Sequence, residues 1–421
     1  MSDGGRKRAL LGWKWWKSYK AGSTAARGQS HVGFQDSTRR CHPGSMINYE
    51  LKNNIVAHFP AIFKGLGSKP SVIHMALDVE LLGGVLIVRV AGGRPIHCGK
   101  CSRNAIIDLA SELVRRKHRV VLVEEACGFG YAFHRHLRQV GVEAYVVATE
   151  MLNRKRKTNR RDAAKLLDQL YDFDVNGHKQ ALRPIRVPTL QQQKSRRLCR
   201  MRSHLIKVRN IMEGQGRGLL LDFDFHDVPQ GWWGPRKWPK LRAQLLEHDP
   251  WLIKMLEHHQ RLLLTQQLRV RELEQEIARE SSYDARQVAK GLGQTTFDSL
   301  QQEAIDWSRF ANRKHVGSYI GCCPSEFSTG ANQKLGSIDR IGNRRMRSLL
   351  VEAVWRLQKW NPTWRGFKKF PHVFGNRATA RGATRKKAVV ACARLLAIDL
   401  WRLQTGRATL KDLGLKPALT K

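Results

Sequence analysis

The sequence predicts an α/β domain in its first half, followed by a coiled-coil-like helical segment and a mainly α C-terminal domain. Three observations carry this. Between residues 72 and 147, strand-like runs alternate with segments of helical periodicity. From 185 to 290 the apolar spacing is helical throughout, apart from one aromatic, Pro-containing loop. Beyond 288, basic amphipathic segments are separated by Gly-rich turns. A chain of 421 residues has room for two or three domains with a large core.

The elements of the first domain, residues 70–180, read in order. Branched and alternating residues predict strands at 72–80, 84–91 and 94–97, with Gly83-Gly84 and Gly92-Gly93 as the turns. A helix follows in NAIIDLASELVRRK, where Ile106, Leu109 and Leu113 recur at helical spacing. Then come the strand RVVLVEE, a helix ending at Gly141, the strand VEAYVVA and the helix RRDAAKLLDQLYDF. Three strands, helix, strand, helix, strand, helix is the order of a ribonuclease-H-like α/β domain. In that fold the first and fourth strands are neighbours, and the last helix packs over their ends.

The rest of the chain divides more coarsely. Residues 1–69 read as a basic, structureless arm carrying Trp13, Trp15 and Trp16, with Met46 as an alternative start. Residues 181–287 read as a helical linker region. Within it WLIKMLEHHQRLLLTQQLRVRELEQEIA, with leucines at 262–264, 268 and 273, is either a dimerising coiled coil or an ordinary amphipathic helix. Residues 288–406 form a compact basic domain opening on KGLGQTTFDSLQQE, whose Gly-Leu-Gly turn resembles a helix-hairpin-helix element that binds phosphate through backbone amides. Asn343 is a predicted N-cap, and Met346, Leu349, Leu350, Ala353, Val354 and Leu357 line one face of the helix after it. Residues 407–421 read as a tail.

Charge narrows the function. Seventy-five Lys and Arg against 35 Asp and Glu give a formal net charge of +40, and the sequence pI is about 10.6. Spread over most of the chain, this excess points to nucleic acid or an anionic membrane as partner. No apolar run has the length of a membrane span, and the basic N-terminus lacks the apolar core of a secretory signal. Cys98 and Cys101 in CGKC have metal-ligand spacing, but a zinc site needs two further ligands and none follows nearby, so they read as reduced thiols on a turn.

Against that charge, three acids stand out. Asp78 lies inside a strand, where a carboxylate is costly to bury unless it is paired or holds a metal. Glu125 ends the fourth strand just before Ala-Cys-Gly, and its neighbour Glu124 faces the other way. Asp162 lies on the last helix, with Asn159 one turn earlier on the same face. In a ribonuclease-H-like order these converge. Such carboxylates hold Mg2+ or Mn2+, which serve phosphoryl transfer. Glu124 and Asp168 read as structural acids. A second candidate is the loop Ser328-Thr329-Gly330, whose hydroxyls beside a glycine suit a nucleophile toward phosphate. By itself such a tripeptide is far more often a plain turn, and no general base is adjacent.

At these residues the chain resembles the transposases of the insertion sequence 110 family, the DEDD transposases, from about residue 70 to 405. The family's first block, an Asp in the first strand, Glu-Ala before a Gly-containing turn and Lys-Thr-Asp-x-x-Asp-Ala, appears here as LDV, EEACGFGY and KTNRRDA. Its second block appears as GCCPSEFSTG, GSIDRIGN and RRMRSLLVEA. Two departures are visible: Asn159 stands where the third acid is expected, and Thr329 stands next to Gly330 where the nucleophilic serine is expected, with Ser328 beside it. Asn159 can coordinate a hard cation through its oxygen but brings no charge. Arg340 replaces the usual Lys.

The resemblance implies an N-terminal domain similar to the Holliday-junction resolvase RuvC, with Asp78, Glu125, Asn159 and Asp162 as metal ligands. It implies a C-terminal domain whose Ser328 or Thr329 attacks a DNA phosphodiester, with acids supplied by a partner subunit. Lys334, Arg340, Arg344, Arg345 and Arg347 would contact phosphate near the nucleophile. The implied partners are element and target DNA, a noncoding bridge RNA and further copies of the chain as a dimer or tetramer. The implied location is the bacterial cytoplasm, at the nucleoid. Three readings stay open: a recombinase with a covalent protein–DNA intermediate, a junction-resolving nuclease that uses the carboxylates alone, and an inactive nucleic-acid-binding remnant.

Overall fold

The computed structural model describes residues 55–148, 159–247, 249–281, 288–326, 335–375 and 379–418. The chain divides into two compact units between Ile185 and Arg186.

The first unit is a five-stranded mixed sheet covered on both faces. Its strands are β1 (Val72–Val79), β2 (Gly83–Val90), β3 (Ile96–Ser102), β4 (Arg119–Glu125) and β5 (Glu143–Val147). They lie in the order β3-β2-β1-β4-β5. β2 runs antiparallel to β1 and β3, while β1, β4 and β5 are parallel. Side chains alternate between two cores, as the period of two requires. Ile73, Met75, Leu77 and Leu122 pack against α3 (Arg103–Arg115) and α4 (Ala132–Gln139). Ala76, Ile87, Val121 and Val123 pack against Ala163, Leu166, Leu167 and Leu170 of α5 (Asn159–Asp174). Each predicted strand and helix of this unit is present within a few residues.

Three expectations change here. Residues 55–64, expected within a structureless arm, are helical. Two short helices, α1 (Ile55–His58) and α2 (Pro60–Lys64), bring Ile55, Phe59 and Ile62 into the core beside α3. Gly83 and Gly84 are not the hairpin turn, which is formed by Glu80–Leu82. They are strand residues, and β2 needs them because its neighbours press close. A Cβ on Gly83 would lie 1.9 Å from the Cys101 carbonyl oxygen, and one on Gly84 would lie 2.3 Å from that of Asp78. Gly84→Ala therefore should destabilise the protein by about 2–3 kcal/mol, read by urea denaturation; an unchanged midpoint would show that β2 can move aside. Finally, CGKC lies inside β3 rather than on a turn. Leu86 pairs with Gly99 and Ile87 with His97, so Cys98 is the extra residue of a bulge and Gly99 takes a φ of +72°. Burial, with Cys101 nearby, pushes the Cys98 thiol up to about 12, so on its own it stays protonated at neutral pH.

The second unit is helical. Two long helices, α6 (Leu190–Asp222) and α8 (Pro250–Glu280), run antiparallel. Ser195 bonds Glu280, Arg202 bonds Glu274 and Arg209 bonds Gln267 along their length. The aromatic loop between them folds back through α7 (Trp238–Leu246): Trp232 packs so tightly on Gly216 that a Cβ there would lie 2.3 Å from the indole. Buried Leu256, Leu263, Val270 and Ile277 recur every seventh residue along α8. The heptad pattern therefore closes a hairpin within this chain. Of the leucines expected in the seam, Leu262, Leu264 and Leu268 are exposed and Leu263 and Leu273 are buried.

The C-terminal core is built from α9 (Gln294–Ala304), α10 (Arg313–Tyr319), the pair β6 (Pro324–Glu326) and β7 (Leu335–Ile338), α11 (Arg344–Trp360), α12 (Arg365–Lys368), α13 (Pro371–Phe374) and α14 (Gly382–Gln404). The expected tail is part of it. Leu413 and Leu415 are buried, and the Ala418 amide donates to the Val288 carbonyl.

Candidate carboxylate site

Strand pairing positions the first two acids. β1 and β4 run parallel with Val72 opposite Arg119 and Leu77 opposite Glu124, so the next step of the register sets Asp78 beside Glu125. Both are two residues beyond Ala76 and Val123, which face α5, so both carboxylates share that face at the C-terminal ends of the strands. Glu124 points to the opposite face. It is buried there, with Oε1 3.4 Å from His134 Nδ1. Asp168 pairs with Arg89 at 2.9 Å. Those two acids are structural.

What aims α5 at this end of the sheet is a polar clamp at its other end. His74, buried in β1, bonds Asp174 at 2.8 Å, and Arg119 bridges Asp174 and Glu143. The Arg119 hydrogen bonds, with His74 behind them, hold the Asp174 carboxyl below its usual range despite burial. With Asp174 fixed beside the start of β1, twelve helical residues reach about 18 Å back along the strand to Asp162. The four strand residues from His74 to Asp78 span about 13 Å. On this count Asp162 lies toward the C-terminal ends of the strands, about 5 Å beyond the level of Asp78. Sequence spacing gives no sign of this clamp, because His74 and Asp174 are 100 residues apart.

Asp162 is half-buried in the first turn of α5, and its Oδ2 is buried without a hydrogen-bond partner. Asn159 opens the same helix. Among the described residues, no three His, Cys, Asp or Glu side chains form a group that could hold a metal ion. Asp78 and Glu125 are thus brought together at one register, while Asp162 shares their face without closing a three-acid cluster. In donor type Asp78, Glu125 and Asp162 fit a hard divalent cation, being carboxylates, with one buried oxygen of Asp162 unsatisfied.

Ser328, Thr329 and Lys334 lie outside the described residues. β6 and β7, the strands on either side of them, are antiparallel. The base of this hairpin is pinned by backbone bonds from Asp339 to Cys323 and from Asn343 to Tyr319. Gly342 permits the second, since a Cβ would lie 2.6 Å from the Tyr319 oxygen. Asn343 caps α11 as expected, accepting from the Met346 amide. Its Nδ2 donates to Glu303, a buried carboxylate that also receives two bonds of 2.9 Å from Arg200. Of the expected phosphate contacts, Arg340 and Arg344 are exposed. Arg345 and Arg347 are used within the fold, on the Arg200 and Ile320 carbonyls.

Comparison with known proteins points to transposases. Residues 287–369 match the family model "Transposase IS116/IS110/IS902 family". The chain is 24% identical over 266 residues to a "Probable family 20 transposase" of Pseudomonas aeruginosa, covering 60% of this chain and 76% of the relative. It is 23% identical over 240 residues to the transposase for insertion sequence element IS1328 of Yersinia enterocolitica, covering 56% and 70%. It is 22% identical over 244 residues to the transposase for IS1111A of Coxiella burnetii, covering 55% and 64%. No described helix is long and apolar enough to cross a membrane. The matched block holds the Gly-Leu-Gly turn, the β6–β7 hairpin and the basic helix, and with these relatives it makes the chain similar to the insertion-sequence transposases of the IS116/IS110/IS902 family.

Proposed function

We propose that the protein cuts and rejoins DNA at the ends of a mobile element, through a hydroxyl of Ser328 or Thr329 and a metal-holding set formed by Asp78, Glu125, Asn159 and Asp162. The observation that supports this most is the parallel register that sets Asp78 beside Glu125 on the face covered by the Asp162 helix. The strand order, with only β2 antiparallel to its neighbours, is that of ribonuclease-H-like domains and favours a RuvC-like assignment for this unit.

In the reaction, a protein hydroxyl loses its proton and attacks a phosphodiester. A P–O bond to the protein forms, and the bond to a deoxyribose oxygen breaks, that oxygen taking up a proton. Attack by the hydroxyl of a second strand reverses the step and releases the protein. A bound Mg2+ or Mn2+ supplies charge stabilisation at the phosphate oxygens. Asp78 and Glu125 hold the site at the rigid end of two paired strands, and the α5 clamp holds Asp162 over it. Asn159 contributes an oxygen without charge. A bridge RNA selects the DNA in this reading, and a second copy of the chain contributes the carboxylates.

The test is a denaturing gel with labelled element-end DNA, the RNA transcribed beside the gene, and Mg2+ or Mn2+. A protease-sensitive, slow-migrating adduct is expected, lost with chelator and lost in Ser328→Ala/Thr329→Val. Free nicked ends that survive this double substitution would replace the reading with a carboxylate-only nuclease, and absence of breakage would make the chain a binding protein.

A further inference from the structure

In the second unit a small cavity of about 150 Å3 opens between α10, α12 and α14. It is lined by Arg313, Arg365, Lys369 and Arg402, with Ile398 and Asp399 among its other walls. Asp399 is buried, accepts from the Trp364 indole at 2.9 Å, and is shared by two guanidiniums: Arg365 bonds it, and Arg402 lies 3.7 Å away. One carboxylate thus faces four cations. Arg313 and Lys369 are exposed, and among the described residues neither has an ion pair.

This arrangement differs from a solvated basic face. The buried carboxylate orients Arg365 and Arg402, so the cost of ordering these long side chains is already met before any ligand arrives. The excess charge is held around a concave space rather than spread over a ridge. At about 150 Å3 the cavity is below the roughly 300 Å3 of sites that take whole organic ligands, and it suits a compact anion. Arginine forks match phosphate oxygens in pairs.

We infer that this cavity seats a backbone phosphate of a nucleic-acid strand, with Arg313 and Lys369 as the contacts that ligand gains and Asp399 as the residue that holds Arg365 and Arg402 in place. The inference rests on the transposase reading and adds to it a phosphate site away from the β6–β7 hairpin. DNA and RNA share the phosphodiester, and the experiment separates them.

Full-length protein and the variant Arg313→Ala/Lys369→Ala would be titrated with labelled element-end duplex DNA and with the labelled RNA, by anisotropy, across a KCl series. Lys254→Ala, an exposed cation on α8, serves as the comparison for loss of charge elsewhere. Each phosphate contact contributes about 0.9 to the log–log salt slope for duplex DNA and about 0.7 for a single strand. The double variant should lower the slope by about one to two and weaken binding at least 10-fold, for whichever nucleic acid occupies the cavity. A loss confined to one titration assigns the site to that strand type. Losses no greater than twice that of Lys254→Ala, for both DNA and RNA, overturn the phosphate site and leave the transposase reading intact. Wild-type protein that binds neither overturns the transposase reading itself, and the site with it.

Discussion

Asp78→Asn should lower the rate of DNA strand cutting by on the order of 1000-fold, about 4 kcal/mol of activation free energy, and should leave folding nearly untouched. The substitution keeps size and shape. Asp78 takes part in the sheet through its backbone, opposite Val85, and that pairing is indifferent to the side chain. What is lost is a negative charge at the level of Glu125, on the face toward α5. If these carboxylates hold a divalent ion, removing one weakens the ion's grip and the charge stabilisation it supplies. Glu124→Gln is the internal control. It sits one residue from Glu125 but on the opposite face, against His134, so cutting should change only a few-fold. Equal losses in Asp78→Asn and Glu124→Gln would mean that the sheet, not the carboxylate face, was damaged. An unaffected Asp78→Asn would remove the acid set from the mechanism.

That prediction was nearly available from sequence, and the reason is local. A charge in a run of branched residues is conspicuous, and strand alternation alone separates Glu125 from Glu124. Other features were not legible. Gly83-Gly84 reads as a turn because a glycine pair usually is one, whereas here the glycines admit the carbonyls of Cys101 and Asp78 at distances no side chain tolerates. The helices at 55–64 are each only four or five residues long, too short for periodicity to register. The heptads of α8 suit either a second chain or a helix packed in its own domain. Only the antiparallel pairing with α6 shows that they are filled from within. The clamp of His74, Arg119, Glu143 and Asp174 and the buried Glu303 depend on residues far apart in the chain, and no spacing rule connects them.

Glu303 carries the second large effect. Arg200→Met should destabilise the protein by about 3 kcal/mol at pH 7. Glu303 is only 2% exposed and takes two hydrogen bonds from Arg200 and one from Asn343. Burial works to raise its carboxyl, but the bonds from Arg200 and Asn343, with the charges of Arg200 and Arg196, outweigh burial and hold it below its ordinary value. A depressed carboxyl contributes stability that is present above its unfolded value, about 4.3, and is lost as pH falls through the folded value. Without Arg200 the balance reverses. Burial then dominates, with the Asn343 bond and Arg345 at 3.8 Å left beside the carboxylate, and the penalty grows as pH rises past about 4.3. Urea denaturation at pH 7 and pH 4 should therefore show a large gap between wild type and Arg200→Met at pH 7 and a much smaller one at pH 4. Arg200→Met/Glu303→Gln should recover most of the loss, because no charge is left to bury. A penalty equal at both pH values would place the effect in packing of the α6 side chain instead. The consequence reaches the basic helix as well. Glu303 holds the side chain that caps α11, and its own backbone carbonyl accepts from the Tyr319 hydroxyl beside the hairpin base. Loss of this carboxylate's partner should thus loosen the segment from Tyr319 to Asn343 before the rest of the unit unfolds, which amide hydrogen exchange would report.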